Sequence, residues 1–442
     1  MKYVLMNCNV IDGQKECTVA PDKMIFVNDG VIERVCSLEE GEKKLAETLR
    51  DVEAEPYEMI DLDGSYVMPG LINMHSHLFG TGKPSKTLGK GRSQELLLKY
   101  MNTPAGLKTL IKMVKLGITQ ALNSGVTTIR GVGDFRYTDV IVRDMVNEGL
   151  IPGPRMIVSG PAITCPKGHG DGSFAVTANL PSRFREQVRI HKEHNVDLIK
   201  ICVTGGVMDA TRKGEPGQVK MTPEETRAAC EEAHKLGYMV ASHTESPEGI
   251  RQDLECGVDT VEHGSFLDDE LIELFREKNA KLICTISPAI AQAKLGYKET
   301  KLNEMCQYNA GVVTDGIIKC ARTCVENGIP VGLGTDAACP FTTQYDMWRE
   351  LYYFCTYVGV SSSFAIYSAT LQNAIILGID DVTGSVEDGK CADMIVTRKN
   401  PLDDITVLRN VDKVIYRGNI IDEPKVKRYK NVDKALDHLI TR

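Results

Sequence analysis

Eight short apolar segments, each followed by a helical pattern, dominate the central part of this chain of 442 residues. Strands that alternate with helices form parallel sheets, because each helix carries the chain back to the starting edge of the sheet. Eight such units predict an α/β fold, a (β/α)8 TIM-like barrel whose active site lies at the carboxyl ends of the strands. The segments span residues 67–77, 127–130, 155–159, 198–202, 238–243, 258–263, 281–285 and 330–336.

The helical patterns between these segments have recognisable ends. Thr222 is expected to be an N-cap residue, with Glu225 completing a capping box. Gly237 is expected to end that helix, because a left-handed residue commonly follows the last turn. Asp268 and Asn279 are expected to begin and end a second helix in the same way.

The two ends of the chain contain further short strands. Residues 24–27 and 31–35 predict a hairpin, because the Asp29-Gly30 pair between them supports the positive φ of a tight turn. Residues 392–396 and 413–419 are strand-like in the same way. Neither end has enough apolar surface to fold alone, so we expect one small β-sandwich domain built from both termini. The predicted boundaries are 1–66 and 384–442 for that domain and 67–383 for the barrel.

Charge and composition exclude several classes of partner. The net charge of −8 disfavours binding to nucleic acid or to an anionic membrane. No apolar run approaches the roughly 20 residues of a membrane helix, and the first residues become polar too early for a signal peptide. Fourteen cysteines without a Cys-x-x-Cys pair predict reduced, mostly buried thiols in a cytoplasmic protein rather than disulfides or a thiolate zinc site.

Histidines stand at the ends of several predicted strands. His75 and His77 are two residues apart, so they face the same way and offer half of a divalent metal site. His243 and His263 end successive strands, whose tips would lie side by side in a barrel. Each of these histidines, taken alone, is also compatible with a hydrogen-bonded core residue. The remaining helical and C-terminal histidines are predicted to lie on the surface: His191, His194, His234 and His438.

Lys200 and Asp336 add a second kind of ligand. Lys200 shares a strand face with Leu198 and Cys202, so its amine would be buried and must be paired, neutralised or modified. A neutral amine can add carbon dioxide, and the resulting carbamate can bridge two metal ions. A salt bridge to Asp336 is the alternative. Asp336 follows the last strand, where its carboxylate can bind metal and accept a proton, or can instead be satisfied by backbone amides.

Together these residues resemble the amidohydrolase superfamily, specifically its binuclear subgroup with a carboxylated lysine. The resemblance covers nearly the whole chain. Residues 70–77 resemble the first-strand signature, and residues 259–269 resemble the sixth-strand segment of prolidase-like and imidazolonepropionase-like members. The helix, return strand and following stretch that end such enzymes are matched by residues 369–374, 384–393 and 400–405.

The resemblance implies a two-metal centre. One ion would be held by His75, His77 and Asp336, the other by His243 and His263, and carboxylated Lys200 would bridge them. Zinc fits these nitrogen and oxygen ligands best, with manganese or iron as alternatives. Imidazolonepropionase and the deaminases use one metal and lack the bridging lysine, so Lys200 favours the Xaa-Pro dipeptidase-like group.

That group implies hydrolysis of dipeptides or N-acyl amino acids. A hydroxide bridging the two metal ions would attack the scissile carbonyl, with Asp336 as general base and then acid. Asp336, His263 and His169 are the implied catalytic residues. His169, Arg212 and Lys213 are candidates to bind the substrate, although Arg212 and Lys213 also suit a solvated loop. Arg130 is expected to bond the loops beneath the metal ions.

The chain departs from the family pattern where substrate choice is determined. The fifth strand ends in His243-Thr244-Glu245 rather than His-Ala-His, Gly131 stands where aspartate is common, and the loop 204–221 differs. Hydrolysis of another C–N bond, in a cyclic amide or urea, therefore stays an alternative. A non-catalytic scaffold is the other alternative, which six intact ligand positions disfavour. The aromatic-rich stretch 347–357 predicts a packed helix or a contact in a homo-oligomer.

Overall fold

The computed structural model of the protein describes residues 1–51, 54–84 and 92–440, with residues 92–94 described by their backbone alone. The chain divides into two compact units. The first consists of Met1–Ile72, Gln120–Thr128 and Met347–Val426. The second consists of Asn73–Thr119, Ile129–Asp346 and Lys427–Arg442. The domain boundaries predicted from the sequence at residues 66 and 384 stay a prediction.

Strands and helices alternate through the middle of the chain. The strands are β1 (Lys2–Ile11), β2 (Val19–Asn28), β3 (Val31–Ser37), β4 (Glu58–Asp61), β5 (Tyr66–Pro69), β6 (Leu71–Ser76), β7 (Val126–Gly131), β8 (Arg155–Val158), β9 (Ala162–Thr164), β10 (Ala175–Thr177), β11 (Ile199–Cys202), β12 (Val240–Thr244), β13 (Thr260–His263), β14 (Lys281–Cys284), β15 (Val331–Leu333), β16 (Met394–Thr397), β17 (Lys413–Tyr416) and β18 (Asn419–Asp422).

The helices begin after the first hairpin and lie mostly between the central strands. They are α1 (Leu38–Arg50), α2 (Arg92–Met101), α3 (Pro104–Asn123), α4 (Thr138–Asn147), α5 (Pro181–Glu193), α6 (Pro223–Lys235), α7 (Pro247–Cys256), α8 (Asp269–Glu277), α9 (Ile286–Lys294), α10 (Tyr297–Thr300), α11 (Glu304–Glu326), α12 (Met347–Tyr353), α13 (Ser362–Ala369), α14 (Leu371–Leu377) and α15 (Lys430–Asp437). A π-helix spans Phe354–Val358 and a 3-10 helix spans Ile405–Arg409.

Strands from both ends of the chain form one sheet in the first unit. Its order is β18-β17-β16-β5-β1-β2-β3, with β4 also pairing with β1. The β2–β3 hairpin turns at Asp29 and Gly30, whose φ values of 48° and 83° confirm the predicted turn. Alternate residues of β1 and β2 pack into two apolar clusters on opposite faces of the sheet. Both termini therefore contribute strands to one sheet, as the sequence led us to expect, whereas the β-sandwich domain stays a prediction.

The segment 67–77, predicted as one strand, is two strands. β5 pairs with β1 and β16, while β6 belongs to a parallel sheet of order β6-β7-β8. Gly70 separates them, and a Cβ atom added to it would lie 2.2 Å from Thr127 Oγ1. The prediction of a continuous strand is wrong because the chain changes sheets at this close approach, which only glycine permits.

The second unit contains a seven-stranded parallel sheet of order β10-β9-β11-β12-β13-β14-β15. The predicted α/β fold with parallel strands is confirmed. Asp336 N donates to His75 O (2.8 Å), and Asp197 N donates to Val158 O (2.8 Å). The first bond joins the segment after β15 to β6, and the second joins the segment before β11 to β8. Closure into an eight-stranded barrel stays a prediction, which the two bonds favour.

Local sequence signals define the helices as expected. Thr222 and Glu225 form the capping box of α6, and Gly237 follows that helix with φ 83°. Asp268 caps α8, and Asn279 follows it with φ 51°. Every residue of α12 is buried, which agrees with a packed helix.

The fourteen cysteines are all free, and most of them are buried. This burial agrees with the mostly buried thiols predicted from the sequence. No helix among the described residues is both long and apolar enough to cross a membrane.

Replacing Gly70 with alanine is predicted to destabilise the first unit. The new methyl group would meet the Thr127 side chain, and overpacking of this kind typically costs about 1–3 kcal/mol. The midpoint of thermal unfolding should fall. Gly311→Ala is the matched control, because nothing lies within 4 Å of its added Cβ in α11 and alanine favours a helix by about 1 kcal/mol over glycine. Equal midpoints for Gly70→Ala and the wild type would contradict this prediction.

Candidate metal centre

The predicted ligands of the second unit come from the carboxyl ends of adjacent parallel strands. β11 pairs with β12 so that Cys202 lies opposite His243, and β12 pairs with β13 so that Thr244 lies opposite His263. Lys200 stands two residues before Cys202 in β11, and its side chain points to the same face of the strand. Because the strands are parallel, their last residues lie side by side at the same end of the sheet.

Two groups of side chains are close enough to hold a metal ion. The ligand atoms of His75, His263 and Asp336 lie within 4.8 Å of one another. The ligand atoms of His243, Glu245 and His263 meet the same limit, so His263 belongs to both groups. His77 borders the first group, since its Nε2 lies 3.2 Å from Asp336 Oδ1. The structure therefore brings all five predicted histidine and aspartate ligands into one cluster.

Two of these ligands, His263 and Asp336, have a left-handed backbone conformation that directs their side chains toward the cluster. His263 has φ 70° and Asp336 has φ 54°, a region that residues other than glycine rarely adopt. Each such residue stores of order 1–3 kcal/mol of strain, and strain of this kind concentrates at functional sites. The Asp336 conformation is held by the bond from its amide to His75 O (2.8 Å). Gly334 permits this approach, since an added Cβ would lie 2.5 Å from His75 N.

Hydrogen bonds fix the orientation of three imidazole rings. An acceptor at Nδ1 leaves Nε2 available to a metal ion, which is the usual arrangement around ligating histidines. His75 Nε2 has no hydrogen-bond partner in the described part of the chain. Each Nδ1 atom lies 2.7 Å from an oxygen. The oxygen is Glu262 Oε2 for His75, Gly133 O for His77 and Thr285 Oγ1 for His263.

A fully buried ion pair supports His75 from below. Arg130 donates to both carboxylate oxygens of Glu262, at 2.6 and 2.7 Å. Its remaining donors reach Met74 O (2.6 Å) and Thr260 Oγ1 (3.1 Å). One side of Glu262 therefore neutralises the charge of Arg130, and the other side orients the His75 ring. Arg130 therefore bonds residues of β6 and β13, whereas the sequence led us to expect bonds to loops.

Glu262 is a residue that sequence reasoning missed. Period-two alternation places neighbouring residues of a strand on opposite faces, so it offers either Glu262 or His263 to the site, not both. The left-handed conformation of His263 lets both side chains take part. A charged residue inside an otherwise apolar strand, with a buried arginine predicted nearby, was the available signal.

Lys200 is buried without a partner. Its side chain is among the largest that are fully buried, and its Nζ has no hydrogen bond within the described ranges. Burial lowers the pKa of Lys200, although Glu262 acts in the opposite direction. A lower pKa increases the neutral amine, the form that reacts with carbon dioxide. No ion pair joins Lys200 to Asp336 in the described structure, so the salt-bridge alternative is not observed.

The surroundings favour the neutral form of His75, His243 and His263 and the ionised form of Asp336. Burial lowers the pKa of His263 to about 3 and holds the pKa values of His75 and His243 well below their ordinary value. Burial alone would raise the pKa of Asp336, but His77 and His75 outweigh it and hold that pKa low. Neutral imidazole and ionised carboxylate are the forms that bind metal ions.

Glu245 is the second residue that sequence reasoning missed. It follows β12, and its Oε2 is buried without a hydrogen-bond partner among the described residues. Burial, reinforced by Asp336 and Asp209, raises the pKa of Glu245 to about 8. The signal was present, because His243-x-Glu245 has the same spacing that singled out His75-x-His77.

The structure treats the three predicted substrate-binding residues differently. His169 stacks on His243 with ring centroids 3.9 Å apart, and its Nδ1 is hydrogen-bonded to Asp209. Arg212 and Lys213 instead lie on the surface, with side chains 72% and 51% exposed. They pair there with acidic residues, Arg212 with Glu215 (3.5 Å) and Lys213 with Glu304 (3.1 Å).

His191 contradicts the prediction that it lies on the surface. It is fully buried in α5, where its Nδ1 lies 2.8 Å from Gln187 O and its Nε2 lies 2.7 Å from Pro161 O. Two backbone carbonyls satisfy both ring nitrogens, so the ring packs inside the fold. His194 and His234 are exposed as predicted.

The family model for the amidohydrolase family matches residues 66–421. The chain belongs to the amidohydrolase family. A structure described as "putative prolidase from Bifidobacterium longum" has a TM-score of 0.83 and 37% identity, covering 99% of this chain and 98% of that chain. A structure of a Xaa-Pro dipeptidase with bound methionine in the active site has a TM-score of 0.81 and 29% identity, covering 96% and 100%. Ochratoxinase from Aspergillus niger is 26% identical over 375 residues, which cover 79% of this chain and 74% of the relative.

Membership of this amidohydrolase family confirms the predicted hydrolase of amide C–N bonds. The family generally uses metal ions, and the cluster fits them. Its donors are imidazole nitrogens and carboxylate oxygens, which suit zinc and similar divalent ions. His75 Nε2, Asp336 Oδ1 and Glu245 Oε2 are buried and lack hydrogen-bond partners within the residues described. A cation in the first group would satisfy His75 Nε2 and Asp336 Oδ1, and a cation in the second group would satisfy Glu245 Oε2.

Replacing Glu262 with glutamine is predicted to weaken metal binding at this cluster. The change leaves Arg130 facing a neutral group and loosens the His75 ring, and loss of such a supporting partner typically costs about 10–100-fold in metal affinity. Equilibrium dialysis of the metal-stripped protein against buffered zinc measures the effect. Glu277→Gln, at the exposed end of α8, is the control and should bind zinc as the wild type does. Unchanged zinc affinity in Glu262→Gln would show that Glu262 does not support the site.

Proposed function

We propose that the protein is a two-metal amidohydrolase that cleaves the amide bond of dipeptides or N-acyl amino acids. The observation that carries this proposal is the cluster around His263, in which predicted ligands meet beside the buried, unpartnered amine of Lys200. The 29% identity to a Xaa-Pro dipeptidase, over 96% of this chain, supports the substrate class. The proposal includes closure of the parallel strands into a (β/α)8 barrel.

The ligands divide into two sets in this proposal. His75, His77 and Asp336 would hold one ion and His243 and His263 the other, and Lys200, carboxylated by carbon dioxide, would supply a carboxylate to both. Zinc is the proposed metal because nitrogen and oxygen donors suit it, and manganese or iron is the alternative. Two such ions, when bound, would lower the pKa of a water molecule and polarise the scissile carbonyl.

Asp336 acts as general base and then as general acid. Its low pKa keeps it ionised, so one carboxylate oxygen is ready to accept the proton of the attacking water. The departing amine needs a proton, and Asp336 returns the one that it accepted. His77 Nε2 lies 3.2 Å from Asp336 Oδ1, so one ion would be in reach of both side chains.

His169 orients the substrate from the side of the second ion. Its hydrogen bond to Asp209 fixes Nδ1, and its stacking on His243 holds the ring plane beside the cluster. Nε2 is then the atom that meets the substrate carbonyl or carboxylate. Arg212 and Lys213 have no proposed role in this step, because they are paired with acidic residues on the surface.

A second candidate function is hydrolysis of another C–N bond, in a cyclic amide or urea. The position of Arg212 and Lys213 favours it, because neither of these predicted partners for a substrate carboxylate lies in the cluster. A substrate without a carboxylate would need only the carbonyl to be recognised.

A panel of Xaa-Pro and other dipeptides and N-acyl amino acids tests the function. Release of free amino acid is expected from at least one class, and it should depend on added zinc or manganese. Asp336→Asn should lower kcat by about 10²–10⁴-fold, the typical contribution of a general acid or base. Asp315→Asn, on the exposed side of α11, is the control and should keep wild-type kcat. Turnover of cyclic amides or ureas alone would decide for the second candidate.

Lys200→Ala tests the bridging carbamate. The variant should lose activity, and short carboxylic acids such as acetate or propionate should partly restore it, because they can place a carboxylate in the vacated space. The assay compares rates with and without the acid for this variant and the wild type. Full activity and full metal content in Lys200→Ala would rule out a bridging role.

A further inference from the structure

Glu245 is a carboxylate that the predicted ligand sets do not use. It stands two residues after His243, and alternation along the strand directs both side chains toward the same side. The residue as a whole is partly exposed, but Oε2 is buried and has no hydrogen-bond partner in the part of the chain that the structure describes. A buried carboxylate oxygen is costly unless a donor or cation faces it.

The geometry around Glu245 is that of a metal site. A ligand atom of Glu245 lies within 4.8 Å of ligand atoms of both His243 and His263. Two histidines with one glutamate form a familiar zinc ligand set among hydrolytic enzymes. Protein cations do not fill this place, since no described ion pair involves Glu245 and the buried Lys200 amine is itself unpartnered.

The charge of the second ligand set also favours a carboxylate ligand at Glu245. The first predicted ligand set contains the carboxylate of Asp336, whereas the second predicted set consists of two imidazoles and has no negatively charged side chain. Without Glu245, the only anionic ligand available to the second ion would be the carbamate on Lys200, which depends on carbon dioxide. A permanent carboxylate would hold a divalent ion there independently of that modification.

We propose that Glu245 is a direct ligand of the divalent ion held by His243 and His263. This rests on the proposed function and deepens it, because it makes the second metal site a His243, Glu245, His263 set. Lys200 then links the two ions rather than supplying the sole negative charge of the second site.

Zinc binding by the full-length protein tests this assignment. Wild type, Glu245→Gln and the control Glu255→Gln are stripped of metal and dialysed against a series of buffered free zinc concentrations with bicarbonate present. Glu255 is exposed on α7, so its variant should match the wild type, with two ions per chain. Glu245→Gln should keep one ion unchanged and bind the other at least about tenfold more weakly, because loss of a group that only supports a ligand already costs about 10–100-fold.

Three controls keep the outcome clear. Thermal unfolding of the metal-free proteins checks that Glu245→Gln folds. If it does not fold, Glu245→Asp replaces it and should bind the second zinc ion more weakly than the wild type does. Cobalt in place of zinc gives a second measurement, since loss of a carboxylate ligand should change the visible absorption of one of two ions. Unchanged zinc affinities and cobalt spectra in the variants would overturn the assignment.

Two other results would also overturn it, and they are distinguishable. Unchanged metal binding with a raised KM only for substrates that carry a free ammonium group would show that Glu245 binds the substrate instead. A wild-type protein that takes up neither zinc, manganese nor iron would overturn the proposed two-metal function, and this assignment with it.

Discussion

The buried pair of Arg130 and Glu262 is the interaction on which the site depends. It joins β7 to β13, and its further bonds reach Met74 in β6 and the ring of His75. Both side chains are fully buried, so removing either would leave an uncompensated charge, a loss of about 3–5 kcal/mol. Such a pair tolerates few alternative arrangements, and three strands are thereby held in one relative position. The orientation of His75 follows from that position.

Above this pair, the fold converts parallel strands into a ligand cage by two local departures from regular backbone. His263 and Asp336 adopt left-handed conformations at the points where their chains leave the sheet. The strain is offset by close packing, seen where Gly334 lies against the backbone of His75. Because the two turns aim an imidazole and a carboxylate at the same space, the metal ligands are organised before any ion binds. Preorganisation of this kind is what a hydrolytic metal centre requires.

Sequence patterns predicted the parts of this arrangement that depend on strand period and chain ends. The α/β alternation, the caps at Thr222 and Asp268, and the ligands at strand ends all follow from local rules. What the patterns missed depends on tertiary contacts. The change of sheet at Gly70 arises from its approach to Thr127, and the burial of His191 arises from the carbonyl groups of Gln187 and Pro161.

The missed acidic residues have the same cause. Glu262 escaped notice because regular alternation would turn it away from the site, and only the unusual backbone of His263 brings both into use. Glu245 has the same two-residue spacing from His243 that His77 has from His75. Because histidine is usual at its position in the family pattern, Glu245 was interpreted as a difference in substrate choice and not as a metal ligand. Arg212 and Lys213 show the reverse error, since basic residues in a nearby loop found acidic partners on the surface.

The central claim is that the strand ends form one centre for two metal ions. Anomalous diffraction from crystals of the natively purified protein, recorded at the absorption edge of the bound metal, tests it most directly. The account predicts two peaks beside His263, one contacting His75 and Asp336 and the other contacting His243, with density for an enlarged Lys200 side chain between them. A map with no peak at this cluster, or with one peak and an unmodified lysine amine, would contradict it.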